Sequence, residues 1–155
     1  MRTMLLSFKP NVYDKILSGE KIFEHRKRFP DEPIIAYMYI SKPVKAISGI
    51  CYLSNRHLLS DWEKTFANDS AALSRIQRYK NLYTYAMEIT EFQETEKIYL
   101  DDLKNKFPDF IVPQSYYYLD NKPLLLKYIQ ENTIFKEKII KNDFSKIEAN
   151  SICIN

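Results

Sequence analysis

The chain has 155 residues, of which 45% are hydrophobic and 14% aromatic. A single domain of this size buries about 68–70% of the surface that its unfolded chain exposes, so one core is sufficient. The 23 basic and 20 acidic residues leave a formal net charge of only +3. This balance excludes the strongly basic surface of a dedicated duplex binder, so any contact with nucleic acid must come from local clusters.

Cysteine usage and hydropathy indicate the compartment. The chain has two cysteines, Cys51 and Cys153, and without another Cys or His at ligand spacing they predict neither a zinc site nor a disulfide scaffold. The apolar stretch at residues 4–8 is too short for a signal-peptide core, and no later run approaches the ~20 apolar residues that span a bilayer. We therefore expect a cytoplasmic protein in a reducing setting, without membrane contact.

Predicted strands dominate the first third of the chain. Residues 4–8 form a first strand, which Pro10 ends. Asn11 is suited to cap the short helix that follows, and Gly19 ends that helix in the left-handed conformation that glycine adopts easily. Gly49 marks either a bulge or a close approach of the backbone to a neighbour. Three further strands are predicted at 22–29, 34–40 and 46–53.

The middle of the chain mixes helices and strands. Ser60 and Glu63 form the Ser-x-x-Glu pattern of a helix start, which predicts a helix over 60–67. The later predictions are a helix over 70–80, one or two strands within 82–92 and 98–100, a short helix over 101–107 that Pro108 stops, and a helix that Asn121 caps with Pro123 in its first turn.

The C-terminal region from about residue 132 alternates lysines with apolar residues, in a period that fits neither a helix nor a strand. We expect a short extra helix or strand that packs on the preceding domain. No repeat, low-complexity run or flexible linker argues for a second domain.

The segment at residues 22–29 holds the residues best suited to bind a ligand. Strand alternation places Glu24, Arg26 and Arg28 on one face, and Phe23, His25 and Phe29 on the other. Arginine presents a planar fork of donors for phosphate or a base edge, while glutamate accepts from amino groups. Lys21, in the turn before the strand, is free of strict alternation and can point into the same cleft.

A purely structural interpretation stays open at this point. Glu24 and Arg26 can form an ion pair on a barrel wall without any ligand. The two interpretations differ in whether Lys21, Glu24 and Arg26 converge on an open, positively charged pocket.

Four short motifs occur in a characteristic order: Leu-Leu-Ser-Phe-Lys-Pro at 5–10, Gly-x-Lys-x-x-Glu-x-Arg at 19–26, a hydrophobic hairpin that ends in Ser41-Lys42-Pro43, and Pro113-Gln114-Ser115. This order resembles the ASCH family, a branch of the PUA-like barrels, from residue 4 to about residue 130. The resemblance implies an α+β fold, a PUA-like β-barrel of about five to six strands with flanking helices. It divides the chain into an ASCH/PUA-like domain at 1–131 and a C-terminal extension at 132–155 that packs on the same domain.

The resemblance also implies a site and a partner. In the family, the Gly-Lys-Glu-Arg segment lines a cleft at one end of the barrel, and the family is inferred to bind RNA or nucleotide-like ligands. We add Arg28 from the strand face and Lys42 from the hairpin that closes one wall. The candidate ligand-binding residues are Lys9, Gly19, Lys21, Glu24, Arg26, Arg28, Ser41, Lys42, Gln114 and Ser115.

An enzyme is the alternative. Some ASCH-like proteins are amidohydrolases that deacetylate acetylated cytidine with a lysine, a threonine three residues later and a distant glutamate. The lysine position matches Lys21, but Glu24 stands at the threonine position, so the hydroxyl proposed as nucleophile or proton relay is missing. We expect Lys21 to be a fully charged partner of Glu24 rather than a lysine of lowered pKa. Binding is therefore favoured over a hydrolase with Lys21 and Glu24 as its catalytic pair.

The remaining candidates carry less weight. With His25 on the face away from Glu24, we predict packing or surface roles for His25 and His57, no metal site and no cofactor. Five tyrosines can either stack on bases or fill the core, which is the more common role of tyrosine in a small β-rich domain; they are Tyr37, Tyr39, Tyr116, Tyr117 and Tyr118. A third possibility is a regulatory or interaction protein that has merely inherited the cleft.

Overall fold

Seven β-strands form one mixed sheet in the computed structural model, which describes residues 1–154. Asn155, the last residue of the predicted extension, lies outside the described residues. The strands are β1 (Arg2–Phe8), β2 (Phe23–Arg26), β3 (Ile34–Ile40), β4 (Ala46–Leu58), β5 (Tyr85–Tyr99), β6 (Tyr116–Tyr118) and β7 (Phe135–Lys141). Their order is β2-β5-β4-β3-β1-β6, with β7 paired to β5 outside that path. β1 and β3 run parallel, and the other pairs within residues 1–154 are antiparallel.

The sheet curls into a half-barrel that helices flank, which confirms the α+β class predicted from the sequence. The helices are α1 (Pro10–Leu17), α2 (Leu59–Thr65), α3 (Ser70–Lys80), α4 (Leu100–Lys106) and α5 (Pro123–Glu131), and a 3-10 turn follows at Ala149–Ser151. In this described part of the chain, each helix is too short or too polar to cross a bilayer.

Alternation along the central strands creates a core on both faces of the sheet. In β3, Met38 belongs to one apolar cluster, while its neighbours Tyr37 and Tyr39 belong to another. Leu5 and Leu6 of β1 are divided between the same two clusters. Strands that are buried on both faces have near-continuous apolar sequences, which explains why β1 and β3 are easily recognised in the sequence.

β5 is the longest strand and has two partners along one edge. Its first part pairs with β2, where Phe23 lies opposite Glu88, and its second part pairs with β7, where Lys141 lies opposite Glu91. The one or two strands predicted within 82–92 and 98–100 are therefore a single strand. The lysine-rich stretch that fits no period is also partly a strand, since β7 pairs with β5.

Several strand ends differ from the predictions, and one strand was not predicted. β2 stops at Arg26 rather than at residue 29, because its partner β5 begins at Tyr85, opposite Arg26. β4 continues past residue 53 to Leu58, because β5 offers it a partner along that length. β6 has only three residues and pairs with β1, so its pattern is too short to predict a strand.

Most helices begin without a side-chain cap. Lys9 is the N-cap of α1 and makes no side-chain cap bond, because an ammonium group cannot accept from a backbone N–H. Pro10, in the first turn, removes one of the N–H groups that would need a partner. α2 begins one residue before Ser60, and Lys122 precedes α5. Asp69 does cap α3, and its carboxylate accepts from the backbone N of Ala72 at 3.0 Å. The predicted caps Asn11, Ser60 and Asn121 are therefore wrong.

The chain's two glycines occupy special positions, as predicted. Gly19 follows α1 with a φ of +81°, in the left-handed region. Gly49 lies at a register shift between β4 and β5, so it marks a bulge. A Cβ added there would lie 2.9 Å from Cε1 of Phe92 and 3.1 Å from the carbonyl O of Gln93. Gly49 therefore allows β4 and β5 to approach closely over a buried ring.

A Gly49→Ala variant tests this close approach. We expect it to lose about 1–3 kcal/mol of unfolding free energy, since a methyl group must displace a buried phenylalanine ring or backbone. Denaturant titration measures the loss. Ala71→Gly, in the exposed first turn of α3, is the control for an exchange between alanine and glycine at a site without close packing. An unfolding free energy equal to that of the wild type would contradict the packing described here.

Candidate functional site

Arg26 bridges the open seam of the half-barrel, which is the gap between β2 and the edge formed by β1 and β6. β2 and β6 are the two ends of the strand order. Nη2 of Arg26 donates to the carbonyl O of Ser7 in β1 at 2.8 Å. Nη1 donates to Oγ of Ser115, the residue before β6, at 3.1 Å. One side chain thus joins both ends of the sheet where no backbone ladder connects them among the described residues.

Glu24 holds this guanidinium from its own strand. Its Oε2 accepts from Nε of Arg26 at 3.0 Å and from Nη2 at 2.8 Å. The side chains are 7% and 14% exposed, so the charges interact in a lower dielectric than a surface pair experiences. The ion pair that the sequence left open is therefore present, and it does not decide between a structural and a ligand-binding role, because a cleft opens beside it.

Lys21 lies beneath this pair and is not among the residues that line the cleft. Its side chain is 2% exposed, and its Nζ lies 3.6 Å from Oε1 of Glu24. Nζ also donates to the carbonyl O of Ile154 at 2.5 Å and lies 3.1 Å from Nδ1 of His25. Burial lowers the pKa of Lys21, and the carboxylate of Glu24 opposes that shift. The predicted pairing of Lys21 with Glu24 is therefore present, but the expectation that the pKa of Lys21 is not lowered is wrong, because burial outweighs the carboxylate.

His25 is buried on the side of β2 that carries Phe23. Its ring packs edge-on against Tyr79, with centroids 5.0 Å apart. Burial, and then the charge of Lys21, lower the pKa of His25 well below its usual range. When Lys21 is protonated it can only donate, so Nδ1 of His25 accepts and Nε2 carries the hydrogen. That Nε2 is buried and has no partner among residues 1–154.

A cleft of about 460 Å³ opens at the seam. It lies between the end of β1 with the start of α1, the end of β2, and the loop before β6. Its lining residues are Ser7, Phe8, Lys9, Asn11, Val12, Glu24, His25, Arg26, Ser41, Tyr83, Val112, Pro113 and Gln114. Lys9, Asn11 and Gln114 are exposed, so a cation and two amide groups surround the Glu24–Arg26 pair.

The candidate residues fall into three groups. Lys9, Glu24, Arg26, Ser41 and Gln114 line the cleft. Ser115 takes part through its bond to Arg26. Gly19, Lys21, Arg28 and Lys42 do not line it: Lys21 is sealed beneath the cleft, and Arg28 and Lys42 are exposed.

Sequence reasoning missed two kinds of residue. Asn11 and Tyr83 line the cleft, but the sequence predicts a helix cap at Asn11 and part of a strand at Tyr83, which lies between α3 and β5. Ile154 was missed because its backbone carbonyl, which any residue possesses, contacts Lys21 across 133 positions. Tyr37 and Tyr39 are buried in the core, which leaves little ring surface for a base.

The depressed pKa of His25 predicts a pH dependence of stability. Below its usual pKa of 6.5, the unfolded chain binds a proton that the folded protein does not bind, so the unfolding free energy falls as the pH falls. The slope reaches at most about 1.4 kcal/mol per pH unit. A His25→Asn variant keeps a side-chain acceptor for Lys21 but cannot titrate, and we expect a smaller loss between about pH 6.5 and 5.

Denaturant titrations across this pH range compare the wild type with His25→Asn. The same series on His57→Asn assigns the slope to one of the chain's two histidines. Parallel curves for the wild type and His25→Asn would mean that His25 is protonated in the folded protein.

Similarity is found at the level of three-dimensional structure. No family model and no curated protein sequence matches the chain. The crystal structure of ASCH from Zymomonas mobilis superposes with a TM-score of 0.65 and 23% identity, over 85% of this chain and 96% of that one. Two mutants of the same protein, one serine-to-alanine and one tyrosine-to-phenylalanine, give TM-scores of 0.64 and 0.63 at 22% identity. They cover 85% and 86% of this chain, and 96% and 99% of their own.

At these identities the likeness concerns the fold alone. The predicted ASCH resemblance is confirmed at that level, since the curled sheet and flanking helices match an ASCH structure over most of both chains. The chain therefore has an ASCH-like fold.

Proposed function

We propose that the cleft at the seam binds RNA or a nucleotide-like ligand by contacting the anionic and polar groups of that ligand. The observation that carries the proposal is the cluster of Arg26, Lys9 and two amides around a cleft of about 460 Å³. Among the residues that line the cleft, Glu24 and Arg26 balance each other, and Lys9 leaves one positive charge in excess. This local balance favours an anionic ligand although the whole chain carries only +3.

The guanidinium of Arg26 retains limited capacity for a ligand. An arginine has five N–H donors. Nε donates once, Nη2 twice and Nη1 once within the protein, which leaves one N–H on Nη1. Arg26 therefore contributes a single fixed donor, and the exposed Lys9 contributes a mobile charge. Asn11 and Gln114 can read either donors or acceptors on a base edge.

The size of the cleft restricts the form of the ligand. Small-molecule sites usually enclose about 300–1,000 Å³, and this cleft lies in that range. A duplex does not enter such a space, whereas an unstacked base or a free nucleotide does. Sequence-specific readers of RNA commonly recognise single-stranded loops and ends by splaying out their bases. Single-stranded RNA, or a nucleotide, is the ligand class that fits.

A Lys9→Ala variant tests the binding proposal. Lys9 is exposed and lines the cleft, so its removal should weaken binding to a fluorescein-labelled single-stranded RNA without lowering the unfolding free energy. The slope of log affinity against log salt should shrink by about 0.7, the value for one phosphate contact on a single strand. Fluorescence anisotropy across a salt series provides the measurement.

The matched control is Lys104→Ala, which removes another exposed lysine, on α4 and outside the cleft lining. It should keep the wild-type affinity and salt slope. Equal loss in both variants would assign the binding to diffuse charge, and the cleft would no longer be the binding site.

Hydrolysis of an acylated nucleoside is the less supported alternative. Burial lowers the pKa of Lys21, which a general base requires, but Nζ is enclosed by Ile154, His25 and Glu24. A substrate carbonyl therefore has no access to it unless one of these three residues moves. Incubation with N4-acetylcytidine, followed by chromatography, should give no cytidine above the uncatalysed level. Turnover that a Lys21→Ala variant abolishes would reverse this preference.

A further inference from the structure

Residues 142–154, called here the C-terminal segment, pack on the side of β2 that faces away from the cleft. The ring of Phe144 lies edge-on to Phe23, with centroids 5.2 Å apart. Ile152 and Cys153 are buried in the same cluster as Trp62 and Ile76. Apolar contact therefore holds this segment at Phe144 and Ile147, and burial holds it at Ile152 and Cys153.

Hydrogen bonds also fix the segment at several points. Nδ2 of Asn142 donates to the carbonyl O of Ile89 at 2.7 Å. Nη2 of Arg75 donates to the carbonyl O of Ala149. At the far end, the carbonyl O of Ile154 accepts from Nζ of Lys21 at 2.5 Å. The last contact lies within the group of charges that borders the cleft.

The ammonium group of Lys21 has three hydrogens and three acceptors around it. The acceptors are the Ile154 carbonyl at 2.5 Å, Nδ1 of His25 at 3.1 Å and Oε1 of Glu24 at 3.6 Å. A protonated lysine donates in three directions and cannot accept. Loss of the Ile154 carbonyl would leave one buried N–H without a partner, which is unfavourable, so the lysine would move to find another acceptor.

Movement of Lys21 would affect the cleft through the carboxylate of Glu24. Oε1 of Glu24 faces Lys21, while Oε2 holds Nε and Nη2 of Arg26. Arg26 is bound in turn to Ser7 and Ser115 across the seam. The direction of the free Nη1–H of Arg26 therefore depends on how the carboxylate is held, and Lys21 is one of its two cationic partners.

We infer that the C-terminal segment is a positioning element of the cleft, in which the Ile154 carbonyl orients Arg26 through Lys21 and Glu24. The effect on ligand affinity rests on the proposed function, whereas the effect on Arg26 itself does not. The Arg26 resonance and the ligand affinity are separate measurements, so failure of the inference is distinguishable from failure of the proposed function.

The test uses Ile152→Ala in the full chain, with Ile129→Ala as its matched control. Both isoleucines are fully buried, but Ile129 belongs to the cluster on α5, away from the segment. Peptide-resolved alkylation of Cys153 against buried Cys51 reports whether the segment has loosened. We expect Cys153 to react faster by about tenfold or more in Ile152→Ala and at the wild-type rate in Ile129→Ala.

Two further readouts decide the inference. The Nε–H resonance of Arg26, assigned with an Arg26→Lys variant, should shift or broaden in Ile152→Ala and stay unchanged in Ile129→Ala. The affinity for a labelled 12-nucleotide single-stranded RNA should fall by about fivefold in Ile152→Ala alone. If Cys153 becomes reactive while the Arg26 resonance stays at its wild-type position, the inference is overturned.

A second variant covers the remaining outcomes. If Ile152→Ala leaves Cys153 protected, truncation after Ser151 removes the Ile154 carbonyl outright, and the Arg26 resonance must then shift for the inference to hold. If the wild type binds no RNA, the proposed function fails, and the Arg26 resonance alone decides whether the segment positions the guanidinium.

Discussion

The bridge that Arg26 makes across the seam is the interaction on which the site depends. A half-barrel leaves its end strands with unpaired edges, which is costly where they are buried. Arg26 satisfies the carbonyl O of Ser7 and fixes Ser115 from β2, so a side chain replaces the missing ladder. Closure by a side chain also leaves space beside it, since a guanidinium is thinner than a strand. The cleft exists because the barrel is closed in this way.

Closure of the seam by Arg26 places three charged side chains at low solvent exposure, where each charge needs a partner. Replacing buried ion pairs by apolar residues is often neutral or stabilising, while removing one partner costs about 3–5 kcal/mol. Stability alone therefore does not explain Lys21, Glu24 and Arg26. Their geometry does, because Glu24 offers one oxygen to each cation. A shared carboxylate fixes the direction of both cations, which an apolar substitute would not do.

The sequence predicts the core strands and the Gly-x-Lys-x-x-Glu-x-Arg motif, but it does not predict which residues bury the lysine of that motif. β3 was predicted with its observed bounds, Ile34–Ile40, because it is buried on both faces. The end of β2 depends on where β5 begins, opposite Arg26, and no local pattern holds that information. The burial of Lys21 depends on Ile154. A backbone carbonyl at such a separation carries no residue-specific signal, so the lysine was expected in the open cleft.

β2 is an end strand in the order of the sheet, and this position gives Lys21 access to both of its faces. Glu24 and Arg26 lie on the cleft side, and Phe23 lies on the side that the C-terminal segment covers. His25 packs against Tyr79 and also reaches the lining of the cleft. Lys21 precedes the strand, so its side chain contacts Glu24 on one side and His25 on the other. In a central strand, a neighbouring ladder would separate these groups. The end position of β2 therefore lets packing on one face influence charges on the other.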